Sequence, residues 1–189
     1  MSAFENAKLL ARIMGVPVFP SSRRLQSNES NATTDMRTLD RFNAADENAV
    51  WLARCGCQFG LMALDAPAVA DFESLVAELG EPPRTMRVSR ASGTGVVRWF
   101  LVDPGTPEIR LGQKLRNTRA TFRRSVVIPD SFHPASGEQY EVMDGKSFEV
   151  RHIATLPDFW IQELARSGVT ANVMTRPEWN REDFLRGFE

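Results

Sequence analysis

The sequence predicts an α/β or α+β domain, a mixed or antiparallel β-sheet flanked by helices. Three observations carry this expectation. Amphipathic stripes with helix stop signals recur along the chain, short β-branched and aromatic runs lie between them, and residues 123–142 read as a strand–loop–strand edge. In that edge, Ser125–Ile128 favours extended backbone, Pro129 turns the chain, and Ala135-Ser136-Gly137 leads into a second short strand ending Tyr140-Glu141-Val142.

From the N-terminus, Ser2-x-x-Glu5 forms a capping-box pattern, and Ala7, Leu9, Leu10, Ile13 and Met14 give a helical stripe stopped by Gly15. Val16–Pro20 is extended because its prolines exclude a helix. Ser21–Asn31 is a polar surface loop carrying Arg23 and Arg24. Thr34 or Asp35 then caps a second helix running to about Phe42. Val50–Ala53 and Phe59–Leu64 read as buried strands joined near Cys55–Cys57, and Asp65 closes the second.

Val69, Phe72, Leu75, Val76 and Leu79 mark an amphipathic helix over Ala68–Leu79, ended by Gly80. After the Pro82-Pro83 break, Thr85–Arg90 and Val96–Val102 form a strand pair around a turn at Ala91–Gly95. A basic connector, Asp103–Thr121, follows, and Leu156–Ser167 is the final helix. These elements fit a domain over residues 1–167, leaving 168–189 as an appendage in which Pro177 starts a short helix.

Composition narrows the classes. The 189 residues are 42% hydrophobic and 25% charged, with no apolar run near the roughly 20 residues of a membrane helix. Glu5, Lys8 and Arg12 interrupt the N-terminal stripe, so it is no secretory signal, and a cytoplasmic protein without a membrane partner is expected. Cys55 and Cys57 are the only cysteines, and two histidines far apart do not complete a zinc site with them. Two reduced cysteines on one face of a strand is the expectation.

The net charge of −1 hides an asymmetry. Ten basic residues between Arg84 and Arg124 face only Asp103 and Glu108, giving that segment +8 and the rest −9. Such a block reads either as a polyanion-facing surface or as arginines paired with acids from elsewhere in the fold. We take the first as the working expectation, with Arg110, Lys114, Arg116, Arg119, Arg123 and Arg124 as phosphate-binding candidates. Ser131 and His133, in the adjacent loop, add a hydroxyl and an imidazole to this anion-binding set. Trp51, Trp99, Phe100 and Phe122 are candidates for base stacking, with core packing preferred for Trp51 and Phe100. Asp130, Ser131 and His133 do not suggest a hydrolytic triad, since close sequence neighbours on a loop rarely reach triad geometry.

Residues 126–140, VVIPDSFHPASGEQY, resemble the VVAPPSxHPSGxxY segment of the bifunctional DNA primase–polymerase (prim-pol) domain, a branch of the archaeo-eukaryotic primase family. The helix–Gly–PVFP opening, the ATTD before the second helix, LGEPPRT, and the SG turn with its aromatic strand follow in the family's order. The resemblance spans roughly Leu10–Ala165. It implies a nucleotidyl-transfer site in which two divalent cations are held by a D-x-D/E pair, a strand histidine and a later carboxylate. Strand residues i and i+2 share a face, hence the one-residue spacing of that pair.

Here Asp65 matches the first carboxylate, Pro67 stands at the second, and Val97 falls where the histidine is expected. The family's later acidic segment corresponds to Leu115–Phe122, which has no acid. Glu182–Asp183 lies in the appendage, and Asp71, Asp103 and Asp130 are the distant carboxylates available to converge. The expectation is a prim-pol-like protein with an incomplete metal set. It would bind DNA, RNA or a nucleotide without efficient catalysis, alongside replication proteins of a plasmid, phage or host, and it would need no cofactor. Two alternatives stand beside it: an active primase–polymerase using Mg²⁺ or Mn²⁺ on relocated carboxylates, and a protein-interaction module or inhibitor on the same fold.

Overall fold

The computed structural model describes residues 1–22, 29–89, 95–103, 105–143 and 145–166. Helix α1 (Ala3–Met14) begins at Ser2, whose hydroxyl accepts from the Glu5 N–H, and ends at Gly15 in the left-handed region. The chain then forms β1 (Val18–Ser21), α2 (Met36–Ala45) capped by Asp35, β2 (Val50–Arg54) and β3 (Leu61–Ala66). Helix α3 (Val69–Leu79), β4 (Arg87–Ser89), β5 (Val96–Leu101), β6 (Thr121–Phe122), β7 (Ser125–Val127), β8 (Ala154–Thr155) and α4 (Asp158–Arg166) complete the described elements.

The strands make two sheets. One is antiparallel in the order β1-β2-β7; the other runs β4-β5-β3-β6, with β8 parallel alongside β5. Among the described residues, four α-helices against two largely antiparallel sheets make the domain α+β, as expected. The two strands around the cysteines, consecutive in sequence, belong to different sheets. Gly56 makes the switch at φ 145°, a conformation other residues rarely adopt, and its N–H donates to Leu61 O at 2.8 Å. Cys55 and Cys57 therefore sit in the crossover rather than on one strand face. Both are reduced and buried, and burial holds both thiols above the usual cysteine range.

Alternation along the second sheet builds two cores. Leu61, Ala63, Val88 and Trp99 face the first sheet, with α1 and Leu39 of α2 packing into the same cluster. Met62, Leu64, Phe100 and Phe122 face the other way, against Leu75 and Leu79 of α3 and Trp160, Ile161 and Leu164 of α4. Trp160 is anchored by a 3.0 Å bond from Nε1 to Gly80 O. Trp51, Trp99, Phe100 and Phe122 are all buried in these cores. For Trp99 and Phe122 this replaces the base-stacking expectation, because no base can reach a fully covered ring.

Other boundaries also differ. The basic connector is not simply a polar loop, since Ile109, Leu115 and Ala120 are buried in the second core. Tyr140–Val142 forms no strand: Tyr140 exchanges backbone bonds with Asp130 N and Ser131 O, at 2.8 and 2.9 Å, and Val142 makes only an isolated bridge to Val88. Asp130, at a positive φ of 69°, ends the extended run of β7 just after Pro129. The Arg23–Arg24 loop, most of the Ala91–Gly95 turn and the 168–189 appendage lie outside the described residues.

Candidate functional site

A cleft of about 320 Å³ opens at the seam between the two sheets. The second sheet contributes Asp65, Val88 and Val97, strand β7 contributes Ser125 and Val127, and the loop beyond it contributes His133 and Tyr140. Arg123 reaches in from the short link between β6 and β7. Asp65, Arg123 and His133, named separately from the sequence, thus meet in one place.

The pairing register explains what surrounds Asp65. Its Cα partner on β5 is Val97 and its partner on β6 is Thr121. Val97, the position where the family resemblance implies a histidine, therefore faces Asp65 across the ladder with an isopropyl group. Asp65 is 2% exposed. Its Oδ2 accepts from Nε of Arg123 at 2.6 Å and also from Nη2 of the same guanidinium. The Arg123 N–H donates to Ala63 O at 2.9 Å, which fixes the backbone from which that side chain swings to Asp65.

His133 is held by its own turn. Its N–H donates to Glu138 O at 2.7 Å, and its Nδ1 accepts from the Ser136 N–H at 3.1 Å. An Nδ1 that accepts leaves the proton of the neutral ring on Nε2, so the ring offers a donor. The cleft's polar equipment is therefore one guanidinium, one imidazole donor, and the hydroxyls of Ser89, Ser125 and Tyr140. Such donors, beside a carboxylate already engaged, suit an anion.

The remaining sequence candidates have different placements. Ser131 is 2% exposed, and its hydroxyl accepts from the Trp51 N–H at 3.1 Å, so it belongs to the loop's framework. Asp130 accepts from Asn6 Nδ2 at 2.9 Å and from Gln139. Asp130, Ser131 and His133 are thus each tied to a different neighbour. Arg116 bridges the helices, 3.7 Å from Glu78 of α3 and 3.3 Å from Glu163 of α4. Arg119 lies 3.2 Å from Asp71, whose Oδ1 also accepts the Arg119 N–H at 2.9 Å.

Arg110, Lys114 and Arg124 are exposed. The loop around Gly112 lies against β6, and Lys114 forms an isolated bridge with Thr121 there. Gly112 N–H donates to Phe122 O at 2.6 Å, and a Cβ added at Gly112 would lie 3.8 Å from Arg124 Nε. Among the described residues, no group of three or more His, Cys, Asp or Glu side chains converges as it would on a metal ion. Asp71 sits on α3 with Arg119, and Asp103 is exposed beyond β5. Sequence reasoning missed Ser89 and Ser125 as cleft residues; their only sequence signal was a hydroxyl within a short strand next to an expected site strand.

The sequence model of the family described as "Bifunctional DNA primase/polymerase, N-terminal" matches residues 7–159. The chain belongs to this family. No curated protein matches the sequence. Among the described residues no helix is long and apolar enough to cross a membrane.

Proposed function

We propose that this prim-pol domain binds the phosphates of a nucleotide or nucleic-acid strand in the cleft at Asp65, Arg123 and His133, and does so without efficient nucleotidyl transfer. The observation that carries this reading is the Asp65–Arg123 pair. Where the family resemblance implies a carboxylate holding a divalent cation, the cation against Asp65 is a guanidinium. A hard divalent ion needs several oxygen or imidazole ligands. Around Asp65 stand Val97, Thr121 and Arg123, a set that does not fit Mg²⁺ or Mn²⁺.

The binding role follows from the same atoms. Arg123 is shared between Asp65 and the cleft, and the Nε2–H of His133 is available to an acceptor. A phosphate oxygen arriving there gains a charge-assisted bond without displacing a buried partner. We place the protein in the cytoplasm as an accessory to replication of a plasmid, phage or host. The exposed Arg110–Lys114–Arg124 surface then extends the path for a strand.

Primer extension with Mg²⁺ or Mn²⁺ tests the catalytic half of the reading, with no template-dependent product expected. Pro67→Asp alone is expected to leave the protein inactive, because Asp65 stays engaged and Val97 stays aliphatic. Robust extension abolished by Asp65→Ala would overturn this. For the binding half, His133→Ala is expected to weaken binding of a labelled nucleotide or short single strand to the cleft.

A further inference from the structure

Strand β7 is paired along one edge and open along the other. The Cys55 N–H donates to Arg124 O at 2.8 Å, and the Ile128 N–H donates to Trp51 O at 2.8 Å. In an antiparallel ladder such directly opposed, bonded pairs alternate with unbonded ones. Leu52–Val127 and Arg54–Ser125 are therefore unbonded pairs, and the N–H and C=O groups of Ser125 and Val127 point away from β2. No other described strand pairs with β7, and neither residue's main chain has a partner among the described residues.

The open edge lies on the side that β3 occupies one step earlier. The Arg123 N–H donates to Ala63 O at 2.9 Å, after which β3 and β7 part into separate sheets. Ser125 and Val127 thereby line the cleft of about 320 Å³ that also holds Asp65, Arg123 and His133. The open length is short. Arg123, whose N–H is taken, bounds it on one side. Pro129 bounds it on the other, with no N–H and with a carbonyl that accepts from Asn6 Nδ2 at 3.2 Å. An edge of this length is below the usual span of a strand, so it suits a small ligand better than an added peptide strand. Each of its two outward residues presents a donor and an acceptor side by side.

A donor beside an acceptor is also what the free edge of a nucleobase offers, whichever the base. The half-buried Val97 and Tyr140 line the same cleft and give a flat ring apolar contact. The volume lies at the lower end of the roughly 300–1,000 Å³ of small-ligand pockets, room for one nucleotide rather than several. We infer that the open edge of β7 at Ser125 and Val127 binds the base of the nucleotide whose phosphate meets Arg123 and His133. This rests on the phosphate-binding reading of the cleft and adds the base to it. Because only main-chain groups make the contacts, any unpaired base is accepted, but a base edge must be present.

The test titrates the intact protein calorimetrically with adenosine monophosphate and with its analogue dimethylated on the exocyclic amine, which cannot donate to a main-chain carbonyl. The analogue should bind at least about fivefold more weakly, the lower end of the cost of an unmet hydrogen-bonding group. Ribose phosphate, which has no base, should bind more weakly than adenosine monophosphate by the same factor or more. Val127→Pro removes one outward N–H without breaking a ladder bond, at the kind of edge position where strands tolerate proline. In this variant, with a thermal melt confirming the fold, the preference for adenosine monophosphate over its analogue should shrink. The inference is overturned if the preference is unchanged in folded Val127→Pro. It is also overturned if the three ligands bind equally while His133→Ala weakens them all, an outcome that leaves the phosphate reading standing. If none of the three binds saturably, both the inference and that reading fall. Should Val127→Pro not fold, the comparison of the three ligands on wild-type and His133→Ala protein decides alone.

Discussion

Arg123 donates from both Nε and Nη2 to a single carboxylate oxygen of Asp65, joining residues 58 positions apart across the β3–β6 edge. The two ends of this pair differ in environment. Asp65 is almost fully buried, while the Arg123 side chain is 47% exposed. The carboxylate therefore depends on the guanidinium more than the guanidinium depends on it.

Arg123→Ala is accordingly expected to destabilise the domain. Breaking a buried pair costs about 3–5 kcal/mol and an exposed one at most about 1 kcal/mol. With one partner in each environment, about 2 kcal/mol is expected, or a fall in Tm of roughly 4–8 °C for a domain of this size. Thermal denaturation of the variant measures it, and an unchanged Tm would show that Asp65 does not need this partner.

Ser131 offers a second check on which loop residues are framework. Its hydroxyl is the acceptor for the buried Trp51 N–H at the start of β2. Ser131→Ala should cost about 1–3 kcal/mol, the range for leaving a buried donor unsatisfied. Urea denaturation of the variant reads this directly. A neutral effect on stability together with lost nucleotide affinity would return Ser131 to the binding set.

Asp71 links the basic connector to α3, and its stability contribution has a definite sign with pH. The Arg119 N–H, opposed by partial desolvation and aided by the Arg119 guanidinium, holds its carboxyl below the usual aspartate value. A carboxyl lowered in the folded state stabilises above its unfolded pKa and loses that contribution as pH falls through the folded one. Wild-type protein should therefore exceed Asp71→Asn in stability near neutrality, and the gap should close in strong acid. Parallel denaturation curves across that range, with a constant gap, would contradict the assignment.

What could be read from the sequence divides along physical lines. Local signals held: Ser2, Gly15, Asp35 and Gly80 mark helix ends because capping depends on a few adjacent residues. Val97 stands out from the sequence only as the place of the family's histidine; that it stands across the ladder from Asp65 comes from the pairing of β3 with β5. Partners distant in sequence were not legible. A charge count finds Arg116, Arg119 and Arg123 but not Glu163, Asp71 and Asp65, which reach them only after folding. The assignment of β2 and β3 to different sheets depended on one glycine conformation at residue 56, which no periodicity reports.

Those pairings decide where a salt-dependent interface should be sought. Charge reversal at Arg116, Arg119 or Arg123 would place a carboxylate against Glu163, Asp71 or Asp65, so any lost binding would be confounded with damage to the fold. Arg110, Lys114 and Arg124 are exposed, and of the three Arg124 lies next to Gly112 in the loop that carries the other two. If these three meet phosphates of a single strand, the slope of log K against log[salt] should be about −2, at roughly −0.7 for each contact. Sequence preference should be weak, since cations on phosphates position a strand without reading its bases. Changing all three to Glu should remove binding at low salt while leaving Tm within a few degrees of wild type, as expected for exposed positions. Fluorescence anisotropy with a labelled oligonucleotide over a salt series measures both quantities. A flat salt response, or full affinity in the triple variant, would rule this surface out as the strand's path.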